Sequence, residues 1–244
     1  MAIHNEAEYL DDSLQALKQI ENQIGELVVI LDRCTDNSKE FVDKYFSNAK
    51  VIEKKTFLWK NSYAENLQIG YKSSMGDVIC IHDADIRSPP ELFDKLLNEL
   101  KGDVKSVSPA IYTYKGASII NFIYHYWEKS RSIAPLGEEP RGGVRLIMRD
   151  CLDNIGGFRD VIAPDTQLDI DLRQLKYRSI LCKNVVCLHL RKISVRKSVD
   201  NQIISGKMRR QMAMPFWRVF GHALIRLRPF VLYGYLKGNN ENER

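Results

Sequence analysis

The chain has 244 residues and a formal net charge of +5, with 36 lysines and arginines against 31 aspartates and glutamates. Hydrophobic residues make up 44% and charged residues 27%, which excludes a disordered or fibrous chain and indicates one large α/β domain or one domain with a small extension. The five cysteines lack disulfide or zinc spacing, and no apolar run approaches the roughly 20 residues that span a bilayer.

Short β-rich runs alternate with amphipathic stretches through the first hundred residues. The continuous apolar run 27–31 is typical of a strand buried on both faces of a parallel sheet. We predict helices over 6–20, from the cap residues 35–38 to 46, over 61–73 and from Pro90 to 100, with strands over 27–31, 51–52, 77–82 and 104–108. This order predicts a doubly wound, mostly parallel α/β sheet, whose ligands bind beyond the carboxyl ends of the strands.

Beyond residue 110 the pattern changes. Helices are predicted over 117–131, 166–176, 195–212 and 216–227, and strands over 144–148 and 185–190. A loop rich in proline and glycine, 135–143, precedes the first of these strands.

Carboxylates follow two strands of the first half. Asp32 ends one strand, while Asp83 and Asp85 follow another and are separated by one residue. Asp83 and Asp85 can both reach one hard cation, since Mg²⁺ and Mn²⁺ take oxygen ligands and bridge a protein to diphosphate oxygens. The metal would offset the charge that builds on a departing nucleoside diphosphate. The alternative is a solvated acidic turn that caps the helix after Pro90.

Four segments resemble, in the right order, the signatures of family 2 glycosyltransferases. They are the Asn5-Glu6 segment within 3–10, the Asp32 segment within 29–38, Asp83-Ala84-Asp85 within 76–85, and Gly156-Gly157-Phe158. The resemblance implies a glycosyltransferase A-type fold and an inverting transfer from a UDP- or GDP-linked sugar to an acceptor hydroxyl. It implies a catalytic domain over 1–192, with a nucleotide-sugar-binding half (1–110) and an acceptor half (111–192). Basic amphipathic helices over 193–237 and a disordered tail over 238–244 would follow.

The resemblance also implies roles for individual residues. The implied donor contacts are Asn5, Glu6, Asp32 and Asp83, and the implied ligands of Mn²⁺ or Mg²⁺ are Asp83, Asp85 and His189. Several cations could complement the diphosphate or form a solvated basic face: Arg191 and Arg196, together with Lys192, Lys197, Arg209 and Arg210.

The catalytic base that the family places after Gly-Gly-Phe carries over to Asp165, with Asp169 as the second choice. Asp169 lies one helical turn further along, so both side chains can face one site. Such a base removes a proton from the acceptor hydroxyl as that hydroxyl attacks the sugar. The alternative for Asp165 is a helix N-cap.

Three departures from the family pattern bear on the same regions. Only Met1-Ala2-Ile3 remain of the hydrophobic strand that normally precedes the Asn-Glu segment, so we expect the sheet to lack part of its first strand or the start codon to be misassigned. Leu31 replaces the first acid of the usual acidic pair, and Arg33-Cys34 replaces Gly-Ser. Pro164 stands where an acid usually precedes the catalytic aspartate.

The basic and aromatic segment 212–236 suits an interfacial helix on an anionic bilayer and equally a helix packed on the domain. We expect a cytoplasmic protein without a signal peptide, which works in the cytoplasm or at the cytoplasmic face of the membrane. Its acceptor would be a lipid-linked glycan or a polysaccharide, in cell-envelope or protein glycan synthesis, and we expect no nucleic-acid partner.

Two other interpretations keep the fold. One is a catalytically degenerate glycosyltransferase-fold binding module, and the other is a nucleotidyltransferase. The second class needs a glycine-rich, basic phosphate loop after the first strand, whereas the segment 5–8 is acidic and lacks glycine.

Overall fold

Helices flank two β-sheets in the computed structural model, which describes residues 1–132, 140 and 142–238. The predicted loop over 135–143 and tail over 238–244 lie largely outside these residues. The strands are β1 (Ala2–Ile3), β2 (Val28–Asp32), β3 (Lys50–Lys54), β4 (Val78–His82), β5 (Ile86–Arg87), β6 (Val104–Thr113), β7 (Val144–Met148) and β8 (Arg178–His189). The α-helices are α1 (Ala7–Lys18), α2 (Ser38–Tyr45), α3 (Ser62–Ser73), α4 (Leu92–Glu99), α5 (Ile119–Ser132), α6 (Arg149–Ile155), α7 (Pro164–Gln174), α8 (Val195–Gln211), α9 (Phe216–Ile225) and α10 (Pro229–Lys237).

One sheet is parallel and the other is mixed. The first has the order β1-β2-β3 with parallel pairing throughout. The second has the order β4-β7-β6-β8-β5, in which β6 and β8 run parallel and the other neighbours run antiparallel. The α/β class expected from the sequence is confirmed, and the carboxyl ends of β1, β2 and β3 lie at one edge.

Burial explains why the first half folds in this way. All five residues of β2 are buried, as the apolar run predicted for a strand covered on both faces. The helix α1 turns Leu10, Leu14 and Leu17 into the same core, where each is at most 2% exposed. Burying a leucine side chain contributes roughly 1.5–3 kcal/mol, so these positions fix the helix against the sheet.

The first strand is short in the structure as well. It contains two residues, and in the described part of the chain it pairs with β2 and with no other strand. Beside it lies a cavity of about 760 Å³, lined by Met1, Val28, Leu67 and Ile79 among other largely apolar side chains.

The chain forms two compact units. One comprises Met1–Tyr114 and Glu128–Arg191 and contains both sheets, and the other comprises Lys115–Trp127 and Lys192–Arg244. The second unit has a small core of its own, built on Val219, Val231 and Tyr235. None of the helices that the structure describes is both long enough and apolar enough to cross a membrane.

Candidate active site

Two residues with left-handed backbone conformations follow β1 and β2. Asn5 has φ 56° and Arg33 has φ 53°, a region that residues other than glycine rarely adopt. The side-chain oxygen of Asn5 accepts from the backbone N–H of Thr35 at 2.7 Å. Asn5 therefore ties together the loops at the carboxyl edge of the parallel sheet.

Both carboxylate oxygens of Asp32 accept from neighbouring side chains. Oδ1 accepts from Arg33 Nε at 2.8 Å, and Oδ2 accepts from Ser62 Oγ at 2.5 Å and from Asn66 Nδ2 at 2.9 Å. Burial alone raises the pKa of this carboxyl, but the donors outweigh burial and hold the pKa well below its usual value. Asp32 is therefore ionised and already satisfied by the protein, and its contact with a donor stays a prediction.

Consecutive residues at the start of α3 connect Asp32 with Asp83. Asn61 caps this helix, and its side-chain oxygen accepts from the backbone N–H of Tyr63 at 3.0 Å. The cap fixes Ser62 on Asp32, and it fixes Tyr63, whose hydroxyl donates to Asp83 Oδ1 at 3.4 Å. The acids that follow β2 and β4 thus share one edge of the fold, as the sequence predicted.

Asp83 lies against the glycine-containing segment before β7. Its backbone N–H donates to the carbonyl of Gly143 at 2.7 Å, and a Cβ atom on that glycine would lie 3.7 Å from Asp83 Oδ2. Burial and the negative charges of Asp85 and Asp165 raise the pKa of Asp83 to about 7. Asp83 therefore lies near two other carboxylates and forms no ion pair of its own among the described residues, a condition that a bound cation relieves.

Asp85 is buried, with 4% of its surface exposed, and it is paired with two basic side chains. Its Oδ2 lies 3.1 Å from His189 Nε2 and accepts from Arg191 Nε at 2.8 Å. Arg191 also donates through Nη2 to Glu6 Oε1 at 2.5 Å. The structure thus brings together four residues that the sequence predicted for the site: Glu6, Asp85, His189 and Arg191. The alternative of a solvated turn at Asp85 is wrong.

The contact between Asp85 and His189 shifts the pKa values of both side chains. Burial alone raises the pKa of Asp85, but the hydrogen bond and charge of His189, with those of Arg191, lower it below its usual value. Burial alone lowers the pKa of His189, whereas the hydrogen bond and charge of Asp85 raise it above its usual value. His189 is therefore disposed to carry a proton beside Asp85, and its role as a metal ligand stays a prediction.

The donor set at Asp83 and Asp85 fits a hard divalent cation. Among the described residues, no side chain or backbone N–H donates to Asp83 Oδ2 or to Asp85 Oδ1. Within the same residues no group of three or more histidine, cysteine or acidic side chains forms a metal site by itself. Mg²⁺ commonly takes one or two carboxylates and completes its shell with water and phosphate oxygens. Two carboxylates at this edge suit a metal whose shell a diphosphate completes.

Asp165 lies in the first turn of α7 beside Gly142. The N-cap of this helix is Ala163, so the alternative of Asp165 as a cap is wrong. A Cβ atom on Gly142 would collide with Asp165 Oδ2, so the glycine leaves room for the carboxylate. Burial raises the pKa of Asp165; the charge of Arg145 opposes this rise and the charge of Asp169 adds to it. A largely buried carboxyl with a raised pKa has the properties of a general base.

Asp169 faces a buried arginine that the sequence analysis did not single out. Arg145 on β7 is 1% exposed; its Nε donates to Ser106 Oγ at 2.6 Å, and its Nη2 donates to Asp169 and, at 2.9 Å, to Ser179 Oγ. A carboxylate that neutralises a buried guanidinium is committed to it, because breaking such a pair costs about 3–5 kcal/mol. The sequence signal for Arg145 is a charge in the otherwise apolar run 144–148.

The predicted cations beyond residue 191 lie in the second unit. Arg196 is exposed on α8, Arg209 donates to the carbonyl of Ser205 at 3.1 Å, and the Arg210 guanidinium lies 5.2 Å from the Tyr235 ring centroid. Their contact with a diphosphate stays a prediction.

Sequence comparison relates the chain to known transferases. Residues 1–160 match the family model described as Glycosyl transferase family 2. A dolichol-phosphate mannosyltransferase of Pyrococcus furiosus is 26% identical over 161 residues, which are 64% of this chain and 43% of that relative. The match thus spans less than half of the relative's own length.

Solved structures share the fold. A mannosyltransferase from Pyrobaculum calidifontis, in complex with GDP-Man and Mn²⁺, has a TM-score of 0.65 at 19% identity and covers 97% of this chain and 68% of its own. Glucosyl-3-phosphoglycerate synthase from Mycobacterium tuberculosis, in complex with Mn²⁺, UDP-glucose and phosphoglyceric acid, has a TM-score of 0.59 at 16% identity and covers 84% and 75%. At these identities the likeness shows the fold, and it confirms the fold expected from the sequence.

Proposed function

The chain belongs to glycosyl transferase family 2, and we propose that it is an inverting, metal-dependent glycosyltransferase. It would move a sugar from a UDP- or GDP-linked donor to an acceptor hydroxyl. The observation that carries this proposal is the group of Asp83, Asp85 and Asp165, in which burial and then the charges of the other two carboxylates raise the pKa of Asp83 to about 7. A cation and a base in one place are the two elements that such a transfer needs.

The donor end of the site would rest on Asp83 and Asp85. These carboxylates would hold Mn²⁺ or Mg²⁺, which when bound offsets the negative charge of the departing diphosphate. Arg191 and His189 hold Asp85 at one oxygen and leave the other open, which orients the carboxylate. Glu6 in turn holds Arg191.

Asp165 would act on the acceptor. Its carboxylate takes the proton of the acceptor hydroxyl while the hydroxyl oxygen forms a bond to the anomeric carbon. The bond from that carbon to the diphosphate oxygen breaks, and the nucleoside diphosphate leaves with the electron pair. Attack from the face opposite the leaving group inverts the anomeric configuration.

A thermal-shift panel of nucleoside diphosphates tests the donor proposal. With Mn²⁺, GDP or UDP at about 100 times its dissociation constant should stabilise the fold by about 2.7 kcal/mol, which raises the melting temperature by roughly 5–10 °C. The same nucleotides with EDTA should give no such shift. An equal shift without metal would contradict the metal site, and no shift with any nucleoside diphosphate would contradict the function.

The degenerate binding module remains the second candidate, because both oxygens of Asp32 already accept from protein donors. Release of nucleoside diphosphate in the presence of a donor sugar and an acceptor distinguishes the two. Binding without any turnover on lipid-linked and polysaccharide acceptors would favour the module.

The acceptor is proposed to be lipid-linked or a polysaccharide, and the second unit would bring the enzyme to an anionic membrane. Trp217, Phe220 and Leu224 fall on one side of α9 and are 77%, 40% and 65% exposed. Val219 and Ala223 on the other side are buried. The segment 201–238 carries seven lysines and arginines and no acid. Exposed aromatic and aliphatic side chains among cations suit an anionic lipid surface.

Liposome flotation tests the membrane contact. The full chain should float with vesicles of phosphatidylcholine and phosphatidylserine, and high salt should weaken this binding. The double variant Trp217→Ser and Leu224→Ser should lower the bound fraction at least about 10-fold, because each side chain contributes roughly 1.5–3 kcal/mol on burial. Met75→Ser, which removes an exposed side chain of the other unit, is the matched control. Equal flotation of the double variant would contradict the contact.

A further inference from the structure

Arg33 is unusual in both backbone and side chain. It follows β2 in a left-handed conformation with φ 53°, at the position where the family pattern has glycine. Glycine adopts this conformation without steric cost, whereas an arginine there is strained. Strained residues at the edge of a binding site commonly contact the ligand of that site, so the side chain of Arg33 is a candidate ligand contact.

The guanidinium of Arg33 has one edge engaged and one edge open. Nε and Nη2 donate to Asp32 at 2.8 and 3.4 Å, and Nη2 also lies 3.4 Å from Ser62 Oγ. No acceptor among the described residues takes a hydrogen bond from Nη1, and 35% of the side chain is exposed. The pair with Asp32 fixes the plane of the guanidinium and leaves its outer edge to a ligand.

Phe57 extends this surface. Its ring centroid lies 4.7 Å from Arg33 Cζ, and half of the residue is exposed. The loop that carries it is anchored directly after this residue: Leu58 N donates to Glu65 Oε1 at 3.0 Å, and Lys60 N donates to Asp160 Oδ2 at 2.9 Å. The guanidinium lies over the ring, and this fixed cation with the exposed part of the ring forms a platform suited to a flat, polar heterocycle.

We propose that Arg33 and Phe57 bind the nucleobase of the donor and select guanine over uracil. This inference rests on the proposed function, since it concerns the donor of that transfer. Guanine presents two adjacent acceptors, O6 and N7, that match the two N–H groups on the outer edge of a guanidinium. Uracil has no such adjacent pair of acceptors, so it cannot engage both N–H groups in this way.

Titration calorimetry of GDP and UDP in the presence of Mn²⁺ tests the inference on three forms of the full chain. The natural protein should bind GDP at least about 10-fold more tightly than UDP, the lower range of discrimination by a bidentate arginine. Arg33→Gly should weaken GDP binding to the level of UDP and leave UDP binding unchanged. Glycine accepts the backbone conformation at 33, and Asp32 keeps its hydrogen bonds from Ser62 and Asn66, so this variant should still fold, which its melting temperature checks. Arg178→Ala, which removes an exposed arginine paired with Asp103, should keep the preference.

The outcomes separate this inference from the proposed function. Equal affinity of the natural protein for GDP and UDP, or a preference that survives in Arg33→Gly, would overturn base selection by Arg33 while the transferase proposal stands. Absence of binding by every nucleoside diphosphate would overturn both. Phe57→Leu should weaken both nucleotides by a similar factor, since stacking on the ring does not depend on the base.

Discussion

Replacing Asp165 with asparagine should lower the turnover number about 100- to 10,000-fold, the range over which a general base accelerates a reaction. Asparagine keeps the size of the side chain beside Gly142 but cannot take the proton of the acceptor hydroxyl. Donor binding in the presence of Mn²⁺ should persist, because the proposed metal ligands are elsewhere. The measurements are steady-state release of nucleoside diphosphate and calorimetry of the donor.

The pH dependence of the same reaction gives a second readout. Burial raises the pKa of Asp165, so the base is ionised only above that raised pKa, and turnover should fall as the pH drops through it. This acid limb should lie at higher pH than an ordinary aspartate would give. Several charged or titratable groups act on or near this carboxyl: Arg145, Asp169, Asp83 and Tyr63.

Asp169→Asn is the matched control for Asp165→Asn. It removes the negative charge that helps to raise the pKa of Asp165, so the acid limb should move to lower pH while the plateau rate is kept. The asparagine oxygen can still accept from Arg145, but the buried guanidinium loses its counter-ion, so the melting temperature of this variant is measured beside its rate. If Asp169→Asn abolishes turnover and Asp165→Asn does not, the base is Asp169.

The sequence predicted the core strands and the acids that follow them, for physical reasons. β2 and β4 are apolar runs of limited length, and their carboxyl ends carry Asp32 and Asp83 as predicted. Ligand sites collect at such ends, so the strand assignment also placed these acids at one edge, and their roles in binding stay predictions. The glycine signature before Phe158 also has a local cause, because Gly156 and Gly157 have φ 78° and 85°.

The start of β8 and the partners of Arg145 could not be predicted from the sequence. The predicted strand 185–190 is the second part of β8, which begins at Arg178. Its pairing with β6 jumps from Cys182 to Val186, so an irregularity interrupts the alternation by which a strand is recognised. Arg145 escaped notice because its partners, Ser106 and Asp169, are brought to it only by the tertiary fold.

The substitutions Asp83→Asn and Asp85→Asn should each remove the stabilisation that Mn²⁺ with nucleoside diphosphate confers, and each should weaken donor binding at least about 100-fold. A loss of 100-fold corresponds to about 2.7 kcal/mol, within the several kcal/mol that a metal supplies at such a site. Calorimetry of GDP and UDP with and without Mn²⁺ provides the measurement. Asp94→Asn, at an exposed position of α4, is the control and should bind as the natural protein does.

The melting temperature distinguishes loss of a metal ligand at Asp83 from loss of binding through misfolding. Misfolding would lower the melting temperature, whereas removal of the Asp83 charge should raise it. The pKa of this carboxyl is raised to about 7, so the folded state favours the protonated form, and ionisation at higher pH opposes folding. In EDTA at pH 8, Asp83→Asn should therefore melt above the natural protein, by roughly 2–4 °C for each kcal/mol of repulsion removed. A variant that is more stable without metal and no longer responds to Mn²⁺ has lost a ligand and kept its fold. Undiminished Mn²⁺-dependent donor binding in both Asp83→Asn and Asp85→Asn would place the metal elsewhere.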